Sequence, residues 1–350
     1  MSEAQPRIEL VKEGQEPREV KVLLDDIQDT MGVAWPPANW RAYAMYPGVM
    51  RLFWQRLRPA VSTEQYLRES LKITEKAYRD ASRWYEPSPR VRLSRENAPR
   101  VQWELDSFEY GNPQVLIQQA ALDRALRDEK VGHEGDREPR HLPSRYRWPE
   151  IKMIQDEEAS EEVRSLFQEI KGTLGLPLVN SDYRGLAKWP EFLRPAWDDV
   201  RRWRNRPEYL RLAHQLEEMG DAAARNLPVP ITLSREEILD AIGEEGEMEN
   251  LRQMVSLFTR LLPALIVNDA LFRIAAVQGQ PPVTPAARVE ALPSLEETFQ
   301  QRAETGALGT LSRLARPAAA VVVGLLAVAA LGYAFRSMGG AGEFDLDLLT

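Results

Sequence analysis

The sequence predicts an all-α fold: two tandem homologous helical repeats packed as a pseudo-dimer, with one transmembrane helix near the C-terminus. Three observations carry that expectation. Apolar residues recur at three-to-four spacing along most of the chain, and no alternating strand pattern persists. The stretch from Gly32 to Glu75 lies over the stretch from Gly175 to Glu218 at a constant shift and without a gap. Near the end, Pro317 to Phe335 is an uncharged run of Ala, Val, Leu and Gly, long enough to span a hydrocarbon core.

The elements follow in order. Residues 1–20 are polar and read as a flexible N-terminus; Met1 to Val11 lacks the apolar core of a secretory signal. Residues 21–128 form the first repeat, in which Leu67, Leu71, Thr74 and Tyr78 mark one face of a helix and Asn112-Pro113 reads as the N-cap and first position of another. Residues 129–149 crowd Gly, Pro, His, Arg and acids without periodicity and read as the linker. The second repeat covers 150–278. There Ser160-Glu161-Glu162-Val163 resembles a capping box opening a helix that runs to Lys171 and is ended by Gly172 and Gly175. Asp182 falls in the first turn of a further helix, and Leu210, Ala213, Leu216 and Met219 mark the apolar face of the next. Residues 279–316, with Pro281, Pro282, Pro285 and Pro293, read as a tether containing a short helical patch at 295–302. The predicted membrane helix at 317–335 precedes an acidic tail at 336–350. Arg302, Arg313 and Arg316 before the span place the main body on the cytoplasmic side of a single-pass, C-terminally anchored protein.

The repeat rests on matched residues. Gly32 pairs with Gly175, Arg41 with Arg184, Ala44 with Ala187, Pro47 with Pro190, Arg51 with Arg194, Trp54 with Trp197, and Tyr66-Leu67-Arg68 with Tyr209-Leu210-Arg211. A second register lays Pro113 to Ile117 on Pro263 to Val267, and Ala120 on Ala270. Twin units with one apolar face each bury those faces against one another, which creates a cleft at a pseudo-two-fold interface. Packing needs symmetric residues, whereas chemistry needs only one site. Two positions break the symmetry: Asn39 stands opposite Asp182, and Asn112 opposite Leu262.

Composition narrows the function. A net charge of -8 is unsuited to nucleic acid, and the absence of Cys removes disulfides, thiolate metal sites and a Cys nucleophile. There is no GxSxG elbow, phosphate-cradling GxxxxGK or HExxH. His133 and His141 lie in the charged linker and His214 within a helix, where solvated side chains explain them. For Asn112 and Asp182, helix-start roles compete with catalytic ones on the residues alone.

Phe108-x-Tyr110-Gly111-Asn112-Pro113, Trp35 within Val33-Ala34-Trp35, and Ser181-Asp182 followed by Trp189-Pro190 form a joint pattern that resembles the group I 2-haloacid dehalogenases, over residues 20–275. The resemblance implies a pocket between the halves and hydrolytic dehalogenation of D- and L-2-haloalkanoic acids without metal, cofactor or covalent ester. It implies Asp182 as general base, Asn112 as the amide that holds the water, Trp35, Ser181 and Val115 as pocket residues, and an apolar wall of Phe258, Leu261, Leu262 and Ile266. Displacing halide from a saturated carbon requires a water whose proton has somewhere to go, which suits a carboxylate with a positioning amide. A first-turn location lowers the pKa of Asp182 and burial raises it. Val115, Ala38 and Phe258 depart from the family pattern and imply a roomier, less polar pocket. The implied partners are a small halogenated or other carboxylic acid and a membrane at 317–335. A homodimer is left open. Two other readings also stay open: a pocket that binds or hydrolyses another small carboxylic acid, and a non-catalytic tail-anchored interaction protein.

Overall fold

The computed structural model describes residues 6–11, 14–140, 148, 151–278 and 287–288. Eleven α-helices occur among them: α1 (Arg18–Met31), α2 (Ala38–Tyr43), α3 (Pro47–Val61), α4 (Glu64–Ala81), α5 (Ala98–Ala125), α6 (Glu161–Leu174), α7 (Ser181–Leu186), α8 (Pro190–Trp203), α9 (Pro207–Arg225), α10 (Arg235–Ile242) and α11 (Met248–Ala276). No strand occurs among the described residues, where pairing is limited to an isolated bridge between Thr63 and Pro139. The all-α expectation is met.

Two long helices form the centre. Helices α5 and α11 lie along one another, and α4 and α9 each pack on both of them. Burial on several sides explains why α5 carries Gln114, Gln118 and Gln119 inward, since every such amide must find a partner. Trp40 Nε1 donates to Gln118 Oε1 at 2.9 Å, Gln118 Nε2 donates to Tyr66 Oη at 2.9 Å, and Tyr66 donates to the Gln114 carbonyl at 2.5 Å. A matching set recurs in the other half. Asn268 Nδ2 donates to Tyr183 Oη at 2.8 Å, and the Tyr209 hydroxyl lies 2.7 Å from Asn268 Oδ1 and 3.0 Å from the Ala264 carbonyl. The two registers read in the sequence bring these sets into correspondence.

Short backbone straps recur in the same way. Arg41 Nε and Nη2 donate to the Val11 carbonyl at 3.0 and 2.6 Å, while Val11 N donates to the Arg41 carbonyl. Arg184 Nη1 donates to the Ile154 carbonyl at 3.0 Å, and Ile154 N returns the bond to the Arg184 carbonyl.

The predicted helices around Leu67 and Leu216 are α4 and α9. The face of α9 differs from the expected one: Leu210 is 55% exposed, while Tyr209, Leu212 and Leu216 are buried. Helix α6 starts at Ser160, whose side chain accepts from Val163 N, but it continues through Gly172 to Leu174 and ends on Gly175 with φ 66°. The full capping box lies elsewhere, at Ser234 and Glu237. Asn112-Pro113 is not a helix start. Both residues lie inside α5, and the carbonyl of Glu109 that Pro113 cannot serve accepts instead from Thr74 Oγ1 at 2.8 Å.

The linker segment up to Arg140 is packed rather than loose. Arg140 is buried, and its guanidinium donates to the carbonyls of Met31 and Val61, to Gln114 Oε1 and to Tyr110 Oη. The predicted tether lies almost wholly outside the described residues, and the predicted membrane span at 317–335 lies entirely outside them. By length and composition Glu245–Ala276 could also cross a membrane, yet 67% of its apolar window is buried within the protein, as in a core helix. Residues 1–295 form one contact unit that contains both halves; the second, 296–350, lies outside the described residues.

Candidate active site

Asn180 precedes α7 in extended backbone, yet its side chain makes no cap hydrogen bond and instead lines a cavity with Ser181 and Asp182. Gly185 lets α7 settle onto α5: a Cβ there would lie 2.8 Å from Glu104 Oε2 and 3.1 Å from Phe108 Cζ. Gly111 does the same for Trp35, whose Cζ2 would lie 2.6 Å from an added Cβ. Trp35 is fixed by donation from Nε1 to Ser107 Oγ at 3.1 Å, and it packs with Phe108, Ile151 and Met153.

These close approaches bring Asp182 to Asn112. Asn112 Nδ2 donates to Asp182 Oδ1 at 2.6 Å and to Asp269 Oδ2 at 2.8 Å. Asn112 is 3% exposed, Asp182 1% and Asp269 0%. Burial pushes the Asp182 carboxyl up to about 6, against the lowering effect of the Asn112 amide. Burial raises Asp269 further, and the Asp182 charge beside it adds to the rise. Both carboxyls are thus pushed toward their protonated forms, and the two titrate as a pair about the shared amide. Asp269 Oδ1 has no partner. Beyond it, Glu109 and Asp106 are held by Arg273 and Arg288; the Arg273 Nε to Glu109 Oε2 distance is 3.0 Å and the Arg288 Nη2 to Glu109 Oε2 distance is 2.7 Å.

The cavity is lined by Trp35, Ala38, Asn39, Asn112, Val115, Asn180, Ser181, Asp182, Phe258, Leu261, Leu262 and Leu265, among others. The sequence-predicted residues thus meet at one place, with one exception. Ile266 is buried in the core and does not line the cavity; Leu265 does. Phe258, Leu261, Leu262 and Leu265 fall on one side of α11, and Ile266 lies past its edge. The cavity offers about 20 Å³, little more than a single water requires. A vestibule of about 740 Å³ shares Ala38 and Ser181 with the cavity; its walls carry Arg41, Lys152 and Arg184 together with Asp156, Glu157 and Glu158, with Lys152 paired to Glu158 and Arg184 to Asp156.

No group of three or more metal-ligating side chains occurs among the described residues, and His214 is exposed beside Glu217 and Glu218. Sequence reading missed Asp269. The second register itself sets it against Gln119, an asymmetry of the same kind as Asn39 and Asp182.

Comparison with known proteins bears on this geometry. Residues 34–183 match the family model of DehI, halocarboxylic acid dehydrogenase. The chain is similar to an (R)-2-haloacid dehalogenase of Pseudomonas putida, 28% identical over 77% of this chain and 92% of that protein. It is similar also to one of Rhizobium sp. (strain NHG3), 26% identical over 68% of this chain and 95% of that protein. These matches support the D-2-haloacid dehalogenase family. A solved structure of a D-2-haloacid dehalogenase mutant in complex with D-2-CPA superposes with a TM-score of 0.73 at 26% identity, covering 78% of this chain and 98% of that one. The family match ends at Tyr183, so it includes Asn112 and Asp182 but not Asp269.

Proposed function

We propose that the chain hydrolyses 2-haloalkanoic acids to 2-hydroxy acids by direct attack of a water activated by Asp182, without a covalent intermediate. The relatives and structural neighbours support a hydrolase acting on carbon–halide bonds. The observation that carries the mechanism is the buried bond from Asn112 to Asp182 at the edge of a one-water cavity. Both N–H groups of Asn112 are committed to carboxyl oxygens, so its Oδ1 remains to accept one hydrogen of a water while Asp182 accepts the other. That leaves the water's lone pairs directed at the substrate. As the oxygen–carbon bond forms, Asp182 takes the proton and halide departs with the bonding pair. The apolar wall of Phe258, Leu261, Leu262 and Leu265 excludes bulk water, and Trp35 and Ser181 bound the substrate's place.

The test is halide release from a panel of D- and L-2-haloacids, the D acids first because two relatives are named for R substrates. Asp182→Asn is expected to lower release by at least about a hundredfold, the usual range for loss of a general base. Single-turnover hydrolysis in ¹⁸O-water is expected to place solvent oxygen in every product molecule. Unlabelled product would mean a carboxylate ester and would sink the direct-attack mechanism. The apolar run at 317–335 adds a proposal about place: a single span with the main body on the cytoplasmic face, checked by protease protection in intact membranes.

A further inference from the structure

The scheme above leaves Asn39 without a task. It stands on α2 at the cavity wall, 2% exposed, and neither Oδ1 nor Nδ2 has a hydrogen-bond partner. Among the described residues lining the cavity, it alone has both polar atoms buried and unpaired. An amide held this way destabilises the fold unless something entering the cavity satisfies it.

The reaction offers such an occupant. Displacement at a saturated carbon sets the leaving group opposite the nucleophile, and Asp182 with Asn112 fixes the nucleophile's side. Asn39 reaches the cavity from a different helix and bonds to neither of them. Ser181 borders both cavity and vestibule, so a substrate reaching the cavity from that side passes it. Asn39, like Asn112 and Asp182, borders the cavity but not the vestibule, so its amide and the nucleophile's partners face the same enclosed space. A halide expelled there gains a full negative charge among Val115, Phe258 and leucines and needs a donor.

We propose that Asn39 Nδ2 donates a hydrogen bond to the departing halide. The bond transfers no proton: the carbon–halogen bond breaks toward Asn39, the carbon–oxygen bond forms on the other side, and Asp182 keeps the water's proton. This rests on the hydrolytic reading of Asp182.

The test uses the full-length chain with Asn39→Ala and Asn39→Leu. On 2-chloro and 2-bromo derivatives of the same acid, the loss in kcat/KM is expected to be about three- to tenfold larger for chloride, whose more concentrated charge takes the stronger hydrogen bond. Thermal stability of both variants stays level or rises, because an unpaired buried amide is removed. Sodium bromide raises the melting temperature of the unmutated chain and of Asp182→Asn, but not of Asn39→Leu, a readout independent of turnover. Equal losses on both leaving groups, or bromide stabilisation that survives Asn39→Leu, would overturn the assignment while leaving the hydrolase intact. No halide release from the unmutated chain, with Asn39-dependent bromide binding retained, would remove the reaction and keep the halide site.

Discussion

Asp269 and Asp182 share one amide, and so buried a site disfavours holding both as carboxylates. A single proton held between them would leave one carboxylate of the pair to serve as the proposed base. Asp269→Leu is expected to move the acid limb of the kcat/KM profile upward from about pH 6, because the Asp269 carboxyl, where it is protonated, hydrogen-bonds Asp182 and lowers it, and leucine does not. Asp269→Asn, which can still donate, should hold the limb in place. Matching limbs in the two variants would show that Asp269 only fills space. Stability runs the other way. With Asp182 raised in the folded state, folding binds an extra proton between its ordinary value and about 6, so this contribution is complete at low pH and is lost as pH rises through about 6. Asp182→Asn should therefore unfold at higher urea than the unmutated chain at pH 7, with the gap closing toward pH 4. Asp182 and Asn112 were legible in the sequence because each breaks the repeat beside recognisable motifs. Asp269 was not, since it lies within a long apolar run with no recognisable motif beside it, and its mismatch with Gln119 inside the second register reads as an ordinary polar exchange. Ile266 was misplaced for want of the rotation of α11.

At the level of elements, Pro113 shows why a local reading of Asn112 failed. A proline after an asparagine is a sound helix-start signal, but Thr74 on α4 supplies the donor that Pro113 lacks, and α5 runs on. That information lies in another helix and cannot be read from the dipeptide. Thr74→Val removes the hydroxyl at nearly constant volume and leaves the Glu109 carbonyl buried without a donor. A loss of about 1–3 kcal/mol in urea unfolding is expected. Because α5 carries Asn112 next to Pro113, activity in the folded fraction should fall too. An unchanged midpoint would mean that α5 finds another donor there. The glycines tell a similar story: Gly111 and Gly185 were visible as residues, but the close packing of Trp35 and of α7 on α5 that requires them is a property of the assembled core.

For the whole molecule, the helical class and the order of its elements were legible because apolar spacing and the repeated segments report burial directly. The recurring Arg41 and Arg184 straps, and the paired tyrosine–amide networks, support the tandem reading beyond the residues that first suggested it. Arg288 was not foreseen. It lies beyond the second repeat yet pairs with Asp106 and Glu109 on α5, reinforcing Arg273. A chain ending at residue 278 should be less stable than one ending at 288 by about 1.5–3 kcal/mol, the range for hydrogen bonds to charged groups. Equal stability would show that Arg273 suffices. The cavity's size has a kinetic consequence as well. Under the proposed hydrolysis each turnover would consume the interior water. Where its replacement shares the acid's route, solvent would behave as a second substrate with its own order of entry, read as a fall in rate at high acid concentration.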